Sequence, residues 1–110
     1  MIVINKNEGT KIPYTIKTSK VTFDDELMLN LEKYERDDPN HIDVCRDKFG
    51  NLVCGVIPGV AEVYVAQIDI PAREYDFIAD GLDENEQPKE VPFPVPFDID
   101  KCTLTLWTLV

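Results

Sequence analysis

Residues 91–97 read Val-Pro-Phe-Pro-Val-Pro-Phe, and alternate prolines leave that backbone few options. Each proline lacks an amide donor and fixes φ, so a helix is excluded and a strand cannot bond along both edges. In an extended chain Val91, Phe93, Val95 and Phe97 share one face. Pro92, Pro94 and Pro96 then turn a donor-free edge away from any partner strand. The run is expected to be an edge strand or an extended cover over a core. A polyproline II helix would scatter the four apolar side chains around its axis.

The second constraint is the apolar stretch Val60–Ile70. Val63 and Val65 fall on one face of a strand, and Tyr64, Ala66, Ile68 and Ile70 on the other. Apolar residues on both faces predict a central strand buried on both sides, at least in its first half. The pattern carries on through Pro71 to Ile78.

The rest of the chain reads as short strands divided by turns. Ile2–Ile4 is a first strand. Lys11–Thr18 alternates, with Ile12, Tyr14 and Ile16 inward, and Pro13 makes it an edge. Between Val21 and Arg36 a helix capped by Asp24 would leave Leu29 off its apolar stripe. A strand places Leu27, Leu29 and Leu31 on one face, so a strand is expected, with a short helix near 24–35 as the alternative. Ile42–Arg46 and Leu52–Ile57 flank Asp47-Lys-Phe-Gly50, a type I turn signature closed by a glycine able to form a bulge. That hairpin pairs Val44 with Cys54 and Cys45 with Val53, sending the two sulfurs to opposite faces. Pro58-Gly59 is a further turn, and Asp80–Lys89 is expected to be a mobile acidic loop. Cys102, Leu104 and Leu106 alternate with Thr103, Thr105 and Trp107 in a final strand. The sum is an all-β chain, an antiparallel β-sandwich or small barrel of about seven to eight strands.

At 110 residues the chain is expected to be one domain, spanning 1–110, with a core that needs no staples. A net charge of -10, from 21 acids and 11 basic residues, repels phosphates. Direct nucleic-acid binding and membrane binding are therefore not expected. The charge is uneven. Residues 1–20 carry Lys6, Lys11, Lys17 and Lys20 against Glu8, whereas residues 72–100 carry nine acids against Arg73 and Lys89. The opening apolar run is too short for a signal peptide, and three cysteines fit reduced thiols, so a cytoplasmic location is expected. The composition is of a kind met in small bacterial and phage proteins.

No catalytic, cofactor or metal site is expected. His41, Cys45, Cys54 and Cys102 are zinc-ligand types, but no C-x-x-C pairs them, and cysteine is often buried for packing alone. His41, the only histidine, sits in an expected loop without a catalytic signature around it. The acids from Asp80 to Glu86 lack the alternating ligands of a helix-loop-helix calcium site. Asp69 stands out because it lies inside the central strand, with an outward position near the strand end the expected one. An enzyme would need a pocket setting Asp69 or His41 beside a second titratable group.

The expected function is a non-enzymatic structural or protein-interaction module whose partner is another protein or a second copy. Its candidate interface residues are Val91, Phe93, Val95, Phe97 and Trp107, because aromatic residues anchor interfaces. Competing with this, Phe93, Phe97 and Trp107 would simply fill the core. The alternative function is an acidic nucleic-acid mimic that inhibits a DNA-binding protein.

Overall fold

The computed structural model describes residues 1–55 and 61–109. Ten strands run in order among them: β1 (Ile2–Asn5), β2 (Tyr14–Lys17), β3 (Lys20–Phe23), β4 (Leu27–Asn30), β5 (Asn40–Asp47), β6 (Leu52–Cys54), β7 (Ala61–Ile70), β8 (Tyr75–Leu82), β9 (Pro88–Pro94) and β10 (Thr103–Leu106). They form a five-stranded sheet ordered β1-β10-β7-β5-β6, a three-stranded sheet β2-β3-β4 and a two-stranded sheet β8-β9. The chain is all-β, but it does not close into a barrel. It is also not wholly antiparallel, since β1 runs parallel to β10.

The first two sheets share one core. Val21, Phe23 and Leu29 of the smaller sheet meet Val44, Ala66, Ile68 and Leu104 of the larger one, with Ile12, Leu31 and Cys102 filling in from connecting segments. Among the described residues no polar or charged residue is buried in it.

β7 is central, between β10 and β5, as the apolar stretch predicts. Its burial is one-sided, however, which corrects the expectation of two buried faces. The register runs Val44↔Ala66 and then Cys45↔Tyr64, so Val65 is an extra residue in a β-bulge. The bulge resets the alternation. Val65, Ala66, Ile68 and Ile70 all become buried, while Tyr64 and Asp69 are exposed. Val65, nominally on the face opposite Ala66, Ile68 and Ile70, is thus re-phased onto theirs, and Tyr64 is left outside it.

The single strand expected over Val21–Arg36 is two strands and a turn of 3-10 helix. β3 ends at Phe23, and Asp24 and Asp25 turn the chain at φ of 52° each, so Asp24 caps no helix. Leu27 and Leu29 lie on β4, and Leu31 opens the 3-10 turn Leu31–Tyr34, the only helical residues near 24–35. The first edge strand is shorter than expected: Ile12 is buried ahead of it, and Ile16 is 40% exposed. The hairpin of β5 and β6 has the predicted register, Val44↔Cys54 and Cys45↔Val53, with Cys45 buried and Cys54 exposed. Its second strand ends at Cys54, and Ile57 and the Pro58-Gly59 turn lie outside the described residues.

β8 and β9 depart most from expectation. The stretch from Val60 does not run straight on: Pro71 ends β7, and β8 begins at Tyr75. The Asp80–Lys89 loop contracts to a turn, since Asp80–Leu82 and Pro88–Lys89 belong to the strands. β9 does not cover a core. Among the described residues these strands pack chiefly on each other, and every residue of β8 is exposed. The pair projects as an arm, giving extents of 63 × 26 × 22 Å. The radius of gyration is 18.6 Å, against about 13 Å for a compact chain of this length.

Candidate interaction surface

The arm is built as the prolines require. Val95 donates its amide to the Glu74 carbonyl (2.8 Å), and Phe93 and Val91 lie opposite Asp76 and Ile78. Antiparallel pairing alternates bonded and non-bonded positions, so Pro94 and Pro92, opposite Tyr75 and Phe77, fall where no amide is needed. The outer edge of β9 is thereby stripped of donors at both positions. The outer edge of β8 keeps the backbone groups of Tyr75, Phe77 and Ala79.

The tip uses one turn design that also occurs elsewhere in the chain. In Asp47–Asn51 the Asp47 side chain accepts from the amides of Phe49 and Asn51 (2.9 Å each), and Gly50 has φ of 83°. In Asp83–Gln87 the Asp83 side chain accepts from Asn85 (2.8 Å) and Gln87 (2.9 Å), and Glu86 occupies the left-handed position at φ of 58°. Just before it, β8 carries one extra residue between Ala79 and Leu82, and Gly81 at φ of 72° makes the bulge.

The root of the arm is clamped. Arg73 donates its amide to the Arg36 carbonyl (2.7 Å) and Nη2 to the Glu35 carbonyl (3.0 Å). The Tyr75 hydroxyl donates to Asp37 (2.5 Å), and Lys101 bonds Glu74 (3.0 Å). Phe97 packs against the core where the chain returns.

Beyond the root the arm exposes apolar side chains on both faces. Ile78 (49% exposed) and Phe93 (49%) share one face with Val91, and Phe77 (64%) shares the other with Pro92. Asp76, Asp80, Asp83, Glu84, Glu86 and Glu90 stand among them against Lys89 alone. Of the interface residues expected from sequence, the structure brings Val91 and Phe93 together on the arm and leaves Val95 and Phe97 at its root. Trp107 is elsewhere.

Trp107 is half-buried on the outer face of the large sheet, its ring 6.0 Å from that of Tyr64, with the Lys6 ammonium 5.7 Å from its centre. There, just past the end of β10, it ends a hydrogen-bonded chain that crosses β7 and β5. The indole Nε1 donates to Gln67 Oε1 (2.9 Å), Gln67 Nε2 donates to Asp43 Oδ1 (2.9 Å), and His41 reaches Asp43 through Nε2 (2.7 Å) and Asp69 through Nδ1 (2.6 Å). An indole can only donate and a carboxylate can only accept, so the direction of every bond is set from the two ends. Each ring nitrogen of His41 faces a carboxylate oxygen, so the imidazolium donates to both whereas the neutral ring donates to one. The Asp69 hydrogen bond, opposed by partial burial and aided by Asp43, raises the His41 pKa above its usual value.

His41 lies on β5, not in the loop expected for it, and its exposed side chain lines a shallow cleft of about 240 Å³ with Asp69, Lys101 and Thr103. Asp69 points outward near its strand end. Nothing local in the sequence pairs the two residues, because their adjacency comes from the β5–β7 register, His41↔Asp69. As a base the histidine has no free nitrogen, since both are engaged by carboxylates. The thiols are no readier. Burial pushes Cys102 up to about 11 and raises Cys45, where Asp43 adds to the effect. Among the described residues no group of three or more His, Cys, Asp or Glu is placed to hold a metal, and no helix is long and apolar enough to cross a membrane.

In comparisons with known proteins, no family model, no curated protein and no solved structure matches this chain.

Proposed function

We propose that this chain is a non-enzymatic structural or interaction module that works through the β8–β9 arm. One observation carries the reading: a clamped, two-stranded projection displays Phe77, Ile78 and Phe93 with no core of its own to cover them. An isolated hairpin is marginal in water, and exposed apolar clusters mark binding sites. The clamp at Arg73 and Tyr75 holds the arm in a set direction, which lowers the ordering cost of docking. A protein surface is the fitting partner. A charge of -10 opposes nucleic acid and anionic lipid, and the arm's acids are interrupted on both faces by apolar side chains, which suits protein contact better than imitation of a phosphate backbone. The occupied nitrogens of His41 and the raised thiols support the absence of catalysis, and the free thiols fit a reducing compartment such as the cytoplasm.

The test is the triple variant Phe77→Ser, Ile78→Ser, Phe93→Ser in the full chain. Thermal unfolding of the body is expected to change by less than about 0.5 kcal/mol, as for surface sites. A loss of about 3 kcal/mol, the scale of a core truncation, would mean that the arm serves its own fold and would overturn the reading.

A further inference from the structure

We infer that the arm's partner is a second copy of this chain, with β8 of one copy pairing along β1 of the next and extending its five-stranded sheet. The inference rests on the reading of the arm as an interaction element and adds the identity and place of the partner.

Three observations converge on it. The first is a match of open edges. Among the described residues β1 is the outermost strand of its sheet, and the amides of Ile2 and of Lys6, just beyond its end, bond the Cys102 and Leu106 carbonyls (2.8 Å each). In a parallel ladder the alternate residues, Val3 and Asn5, therefore turn their N–H and C=O groups outward. On the arm only β8 offers a complete edge, through Tyr75, Phe77 and Ala79, because Pro92 and Pro94 remove the donors from β9. The prolines thus make the arm one-sided: it can join one sheet and cannot extend further.

The second is unburied apolar surface on both parties. Ile2 (53%), Val3 (40%) and Ile4 (47%) are all exposed on β1, an unprotected edge of the kind that templates further strand pairing. Phe77 and Ile78 supply the matching apolar groups on β8. The third is charge. The arm, residues 75–94, has six acids against Lys89, while β1, β2 and the segment joining them carry Lys6, Lys11 and Lys17 against Glu8. Opposite charge on the two surfaces favours arm-to-edge contact and opposes both arm-to-arm and edge-to-edge pairing.

Among the described residues of one copy the two strands lie in separate sheets and do not pair, so the pairing inferred here is one between copies. The contact joins two different patches. It therefore propagates head to tail into a ring, or into a filament if the rotation does not close.

Light scattering on the full chain over a range of concentrations tests this. The mass of the wild type is expected to rise with concentration and to fall back in high salt, which screens the charges. Val3→Pro removes one of the two outward donors of β1, and Phe77→Pro removes the middle one of the three on β8, at a position that makes no bond to β9. Each is expected to weaken association about tenfold, equivalent to about 1.4 kcal/mol. The decisive arm is their mixture. The Val3→Pro protein keeps a sound arm and the Phe77→Pro protein a sound edge, so equal amounts should form a dimer and nothing larger. If Val3→Pro fails to fold, Ile2→Glu takes its place, setting a carboxylate against the acidic arm while leaving the backbone intact. A wild type that stays monomeric at every concentration overturns the inference, as does a mixture that associates no better than its components. Neither result touches the reading of the arm itself, which fails only if its apolar side chains prove to stabilise the body.

Discussion

His41 is held by two carboxylates at once, and that arrangement has a definite pH signature. A histidine whose pKa is raised on folding contributes stability that is complete below its unfolded value of about 6.5 and is lost as pH rises through the folded pKa. The ring is exposed, so solvent screens the contribution and keeps it small. The difference in thermal stability between the wild type and His41→Gln is expected to favour the wild type in mild acid and to shrink above neutral pH. A difference that stays constant with pH would show that the ring is not charged between Asp43 and Asp69. From sequence His41 was only a lone histidine beside a proline turn, because nothing local says that residue 69 will lie next to residue 41.

The two Asp-led turns show how an element is written with different clarity in the same chain. Asp47-Lys-Phe-Gly50 is legible, because its glycine marks the left-handed position. Asp83-Glu-Asn-Glu86 makes the same bonds with a glutamate there, so it reads as a loop. A non-glycine residue at positive φ costs about 1 kcal/mol. Glu86→Gly is therefore expected to slow amide exchange in β8 and β9 severalfold, with the body unchanged, as hydrogen exchange would show; faster exchange would mean that the side chain itself holds the tip. The bulge at Val65 obscures in the same way, since one extra residue converts a one-sided strand into an apparently two-sided one. The proline run was the most legible element. Its one-edged pairing follows from missing donors, a local property. Whether its other side met a core or water was not local.

For the molecule as a whole, stability and surface are divided between two parts. The sandwich body buries Phe23, Leu31, Ile68, Ile70 and Leu104 almost completely, and the arm buries nothing comparable. Ile68→Ala is expected to cost about 2–5 kcal/mol in denaturant unfolding, and amides of β7 and β10 to outlast those of β8 and β9 in hydrogen exchange. Equal protection in the isolated protomer would mean that arm and body unfold as one unit. By itself the sequence determined the all-β class, the β5–β6 register, the central place of β7 and the single pairing edge of β9. Each follows from side-chain alternation, turn chemistry or a missing amide within a few residues. Only the tertiary structure decided that β8 and β9 leave the body, that Trp107, Gln67, Asp43, His41 and Asp69 form one chain of bonds, and that β1 keeps an open edge. These depend on which distant strands become neighbours, and an apolar side chain is written the same way whether it will face its own core or another molecule.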